Sequence, residues 1–175
     1  MAQSSLSMHD ATVTVFARFL KNLSAIISYA ETQAPKQDLA ETHLVEARLA
    51  PGMFTFAEQI RQATHHATHS IAALKETAPP ALPTNFSSFA GLNERIKAAI
   101  DYLEAVSASD VDGTEQKDVS YTVAGEPRPF KGQDLLLYLC LPNFFFHVTT
   151  AYDLLRHHGI ELSKRHFMGM AKPGE

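Results

Sequence analysis

From Gln133 to His158 the chain has helical spacing yet is apolar on nearly every side, the pattern of a helix enclosed by other elements. That segment constrains everything else, because a helix covered all round needs other elements to cover it. Pro142 interrupts it. Either the proline opens the final long helix after a separate short one, or it kinks a continuous helix. Gly159, after Arg156, His157 and His158, marks the end, with basic side chains near the negative end of the helix dipole.

The covering elements are legible upstream. Ser7 with Asp10 has the form of a capping box, and Val13, Phe16, Leu20, Leu23 and Ile27 follow at spacings of three and four, which predicts a first helix from Ser7 to Thr32. Pro35 follows its end, and a weaker short helix fits Leu39 to Ala47 before Pro51 and Gly52. Thr55 and Glu58 form a second capping box; Phe56, Ile60, Ala63, Ala67, Ile71 and Leu74 trace the face of a second long helix ending near Lys75. Pro79, Pro80 and Pro83 make a stiff connector. Leu92, Ile96, Ile100, Leu103 and Val106 then mark a third helix from Phe89 to Ser107.

Between Ser107 and Gly132 the helical period disappears. Val119, Tyr121 and Val123 alternate with polar residues, and Ala124-Gly125-Glu126 can turn the chain, so a small β-hairpin is expected, with Pro127 and Pro129 confining its second arm to an edge. The sum is an all-α fold: an antiparallel four-helix bundle with a short extra helix and a small β-hairpin in the crossover before the last helix. The 175 residues suit one domain, 1–175, able to bury about 70% of the unfolded chain's surface.

A net charge of -4 with both signs interspersed gives no basic stripe, so nucleic acid is not an expected partner. The start of the chain lacks the pattern of a signal peptide, and the single cysteine, Cys140, reads as a buried small apolar side chain; both fit a cytoplasmic protein. The longest apolar stretch, Leu135 to Phe146, is broken by Pro142 and Asn143 and falls short of the ~20 residues a membrane span needs. No membrane association is expected.

The residues able to carry chemistry are few. His147 shares a helical face with Asn143 and Leu154, flanked by Thr150 and Ala151, so its imidazole is either a hydrogen-bonded core residue or the wall of a pocket. His65, His66 and His69 resemble a metal-binding cluster, but His65 and His69 lie about 140° and 180° from the apolar face centred on Ile60, mostly toward solvent. Only His66, about 120° away, sits at a core border, beside Gln59, Ala63 and Ser70. His157 and His158 serve helix termination. Phosphate-binding glycine loops, paired CxxC motifs, HExxH and GxSxG are all absent from the sequence.

Asn143-xxx-His147 followed by Leu155-Arg156-xx-Gly159 resembles the DinB/YfiT-like superfamily of four-helix bundles, and Pro142 to Tyr152 resembles most closely an uncharacterised branch with a proline-asparagine-triple-aromatic-histidine last helix. The resemblance covers nearly the whole chain. It implies a metal-dependent enzyme in which one histidine of the second helix and a HxxxH pair of the last hold a divalent ion such as zinc or nickel. Carried over by position, His147 matches the second member of the pair, His66, or less well His65, the second-helix ligand, and Asn143 stands where the first member belongs. The functional expectation is a metal-dependent or formerly metal-dependent enzyme acting on a small molecule in a polar pocket formed by His147, Asn143, His66 and Thr150. The alternative is a metal-free small-molecule-binding or homodimeric interaction protein without catalysis. A homodimer is implied as well, with Phe19, Phe145 and Tyr152 off the main core faces and available to join the contact.

Overall fold

The computed structural model describes residues 6–172. Four long helices enclose one core. α1 (Val15–Gln33) is preceded by a π-helical segment, Asp10–Thr14, whose entry is capped where the Asp10 amide donates to Ser7 Oγ at 3.1 Å. After the short α2 (Glu41–Glu46) comes α3 (Phe56–Leu74), opened by a complete capping box: the Thr55 amide donates to Glu58 Oε2 at 2.7 Å and the Glu58 amide to Thr55 Oγ1 at 3.1 Å. α4 (Phe89–Glu104) starts at Ser88, whose Oγ accepts from the Gly91 amide at 3.1 Å. The one-turn α5 (Ala108–Val111) leads to β1 (Asp118–Val123) and β2 (Glu126–Lys131).

The last helix settles what Pro142 does. α6 (Gly132–Asp134), a π-helical segment (Leu135–Cys140) and α7 (Leu141–His157) form one helix of 26 residues, with Pro142 in the first turn of α7 directly after the π-helical stretch. Helical backbone therefore continues through the proline. This overturns the length argument against a membrane span, since Gly132–His157 is long and apolar enough to cross a bilayer by length and composition. Half of its most apolar window is buried inside the bundle instead. The chain ends in α8 (Lys164–Phe167).

Contacts at the helix ends fix the directions. His9, at the start of the α1 region, bonds to Asp112 and Val106 beyond the end of α4, while Ser24, midway along α1, donates to Asn93 near the start of α4 at 2.9 Å, so α1 and α4 are antiparallel. Leu74 at the end of α3 packs on Gly132, and Gln59 at its start reaches His147, so α3 and the last helix are antiparallel too. α3 and α4 run parallel, with Phe56 and Phe89 meeting edge to face at their starts, 5.9 Å between centroids. α1 and α7 are also parallel: Phe16 meets Phe144 at 4.8 Å, and Gly159 beyond α7 sits beside Gln37 beyond α1. The connection that runs the length of the bundle is thus residues 75–88. The hairpin segment leaves α4 and enters α6 at the same end, tied there by Lys75–Asp110 at 3.3 Å and by Lys117 donating to the Leu74 carbonyl at 3.0 Å.

The hairpin pairs Val123 with Glu126 across a two-residue turn, Ala124 and Gly125, both at positive φ (52° and 84°), the geometry that matches strand twist. Val119 and Tyr121 are buried on the face turned to α3. Phe19 and Phe145, 4.9 Å apart, and Tyr152 are engaged within the chain, since Phe167 of α8 packs against Phe19 at 5.4 Å and edge to face with Tyr152 at 5.9 Å. They do not form the free aromatic face expected of a dimer contact.

Candidate functional site

The imidazole of His147 points into the bundle, 6% exposed, and its Nδ1 lies 2.6 Å from Gln59 Oε1 on α3. The orientation of that amide is fixed from its other side, where Gln59 Nε2 donates to the Phe54 carbonyl at 3.3 Å. Gln59 thus presents its oxygen, His147 Nδ1 carries the proton, and Nε2 is left with its lone pair. Beside it His66 lies almost coplanar in orientation, the rings inclined by 10° with centroids 5.7 Å apart. The His66 Nδ1 is 3.3 Å from the Tyr121 hydroxyl, which the hairpin delivers and which also touches the thiol of Cys140. Phe54 and Phe146, both exposed, flank His147 at 6.1 and 5.3 Å between centroids and form the outer wall.

These imidazoles are held neutral. Burial, then the positive field of Arg61, pushes His147 down to about 4; burial, then the neighbouring rings of His65, His147 and His69, pushes His66 down to about 3. His65 is pushed down to about 4 by burial, His69, Arg61 and Arg95, and His69 is lowered chiefly by burial. The expectation that His65 and His69 face solvent is corrected here: both are half-buried, their centroids 3.8 Å apart, because the Tyr121 strand covers that side of α3. Burial also pushes the Cys140 thiol up to about 12, which disfavours the thiolate a nucleophile needs.

Two expected pocket residues bond back to their own helix. Asn143 Nδ2 donates to the Leu139 carbonyl of its own helix at 2.7 Å, just where Pro142 and the π-helical turn disturb the backbone ladder, and Thr150 Oγ1 donates to the Phe146 carbonyl at 2.7 Å. Gln59 and Tyr121 take the places expected of them. Gln59 carried a signal, since it lies seven residues before His66 and so shares its face; Tyr121 carried none beyond strand alternation.

A family model described as a domain of unknown function, DUF1993, matches residues 8–168. The chain belongs to the DUF1993 family. Its fold is also that of a DinB family member protein from Shewanella denitrificans, whose crystal structure aligns with a TM-score of 0.82 at 30% identity over 95% of this chain and 94% of that one. This DUF1993 chain is therefore a DinB-like protein. No curated protein matches it.

The divalent ion implied by the superfamily can be tested against the donors present in this DUF1993 site. His66 and His147 supply two imidazoles, their ring centroids 5.7 Å apart, whereas a catalytic zinc ordinarily takes three protein ligands. The Asn143 carboxamide, whose Nδ2 donates to the Leu139 carbonyl, is a weak ligand in the third place, and no group of three or more His, Cys, Asp or Glu among the described residues is disposed to hold an ion. The donor set is therefore one good ligand short of a catalytic zinc site.

Proposed function

We propose that this DinB-like protein binds a small molecule without a metal, using His66 and His147 as a paired recognition element rather than as ligands or catalytic bases. The observation that carries this reading is the Gln59 contact to His147 Nδ1, which leaves Nε2 as an acceptor in a nearly dry setting. Tyr121, its phenol proton held more firmly by burial, is assigned as donor to His66 Nδ1, which puts the remaining proton of His66 on Nε2. The pair then offers one acceptor and one donor side by side, the complement of a carboxamide or similar group, behind the apolar wall of Phe54 and Phe146.

The low basicity favours binding over acid–base catalysis. A general base works best with a pKa near the operating pH, whereas a ring titrating near 4 is protonated in only about one molecule in a thousand at pH 7. The test is nitrogen-15 NMR of the histidine rings in the full chain at pH 7, with acetamide as probe. The expected result is a saturable shift at Nε2 of both His66 and His147, absent in His147→Gln. No shift at either ring, or a shift only with stoichiometric zinc, contradicts the proposal.

A homodimer is part of the same reading. Residues 135–152 carry no Asp, Glu, Lys or Arg, and Leu137, Tyr138 and Phe146 stand exposed along that helix. A charge-free helix face is self-complementary, and a two-fold axis would bring it against its copy. Sedimentation at micromolar concentration should show a dimer that Tyr138→Glu converts to monomer; a monomeric wild type rejects the dimer.

A further inference from the structure

Arg95 on α4 is buried, 7% exposed, and its hydrogen-bond partners are neutral. Its Nε donates to Thr64 Oγ1 at 2.8 Å, its Nη1 to the Pro83 carbonyl at 2.9 Å, and its guanidinium lies over Phe86, 5.3 Å from Cζ to the ring centroid. Among the described residues no Asp or Glu lies within ion-pair distance of it. A guanidinium cannot shed its proton to escape burial, so a full positive charge is left uncompensated in a setting that penalises it. Arg61 on α3 also has no ion pair among the described residues; it lies 5.9 Å over the Phe54 ring, and its field reaches Arg95.

From Arg61 the same face of α3 continues, in steps of four, as His65 and His69. Both are neutral and cannot balance the charge. The nearest acid on the helix, Glu58, feels Arg61 but is engaged by the Thr55 amide and by Arg48 at 3.3 Å, while Glu46 is exposed. Arg61 and Phe86 border a cleft of about 740 Å³ whose lining also carries Arg48 with Glu46 and Glu58, and His65 and His69 line a second space of about 210 Å³ further along. The larger cleft is of the size that holds a small metabolite.

We infer that the Arg61 face of α3, backed by Arg95, binds the oxyanion of a small ligand, a carboxylate or a phosphate group. The aromatic rings of Phe54 and Phe86 cover the flat faces of the two guanidinium groups, which leaves N–H edges for an anion. This goes beyond the His66–His147 pair and does not depend on it.

Calorimetric titration of the full chain with inorganic phosphate and with malonate, at ionic strength held constant with chloride, tests the inference. Saturable binding of at least one probe is expected, with phosphate preferred if the natural ligand is a phosphoryl compound and malonate if it is a carboxylate. Arg61→Gln, at a half-buried position, should weaken that binding about tenfold or more. Lys97→Gln, on the exposed side of α4 in a pair with Asp101, should leave it unchanged. Absence of saturable binding for both probes overturns the inference, as does equal weakening by the two substitutions.

Discussion

At His147 burial and hydrogen bonding act on the same proton from two sides: the protein interior penalises a second proton on the ring, and Gln59 holds the first one on Nδ1. Removing the acceptor should be costly, because Gln59→Ala leaves a buried N–H unmatched. A loss of about 1–3 kcal/mol is expected in urea unfolding at pH 7. A change within error would mean that water or another group satisfies the ring. The histidines also set the acid limit of the fold. Their folded-state values, about 4 for His147 and about 3 for His66, lie below the value of about 6.5 expected in the unfolded chain. Protons therefore bind the unfolded state preferentially: the stability these two rings contribute is full above pH 6.5, falls as pH drops below it, and is lost once pH passes below about 3. Thermal melts from pH 7.5 to 4 should show this decline, and His147→Gln should make it shallower. An unchanged slope in that variant would place the ring's titration elsewhere.

The elements were legible where local chemistry decides them. Both halves of the Thr55–Glu58 capping box and the Ala124–Gly125 turn form as the residues dictate, and the apolar spacing of α1 and α3 delivers their core faces. The π-helical segments were not legible, since a π turn shares the composition of an α turn, and Pro142 looked like an interruption though helical backbone runs on through it directly after the π-helical stretch. The junction between hairpin and last helix depends on Gly132. A Cβ there would stand 2.1 Å from the Thr114 carbonyl oxygen and 3.0 Å from Leu74, and backbone cannot easily give way. Gly132→Ala should destabilise the chain by about 1–3 kcal/mol in denaturant unfolding. A neutral effect would show the hairpin to be loosely attached.

At the scale of the whole molecule, what the sequence could not reveal is which surfaces tertiary structure covers. Angles around α3 put His65 and His69 toward solvent, correctly for an isolated helix, but the strand bearing Tyr121 lies over them and brings four imidazoles into one half-buried group. The parallel course of α3 and α4, imposed by the long proline-containing return, sets Arg95 against Thr64 and Pro83 and so creates the uncompensated charge. His147 itself was legible, as an imidazole sharing a face with Asn143 on the last helix; its hydrogen-bond partner, Gln59, comes from α3 and only the folded bundle brings it there. On this reading the DinB-like site works without an ion. Elemental analysis of the purified full chain, read beside its thermal melt with and without chelator, tests that claim directly, because an ion held only by the folded state must raise its stability. The account predicts metal well below one equivalent and an unchanged melting temperature; near-stoichiometric zinc or nickel whose removal lowers the melt would contradict it.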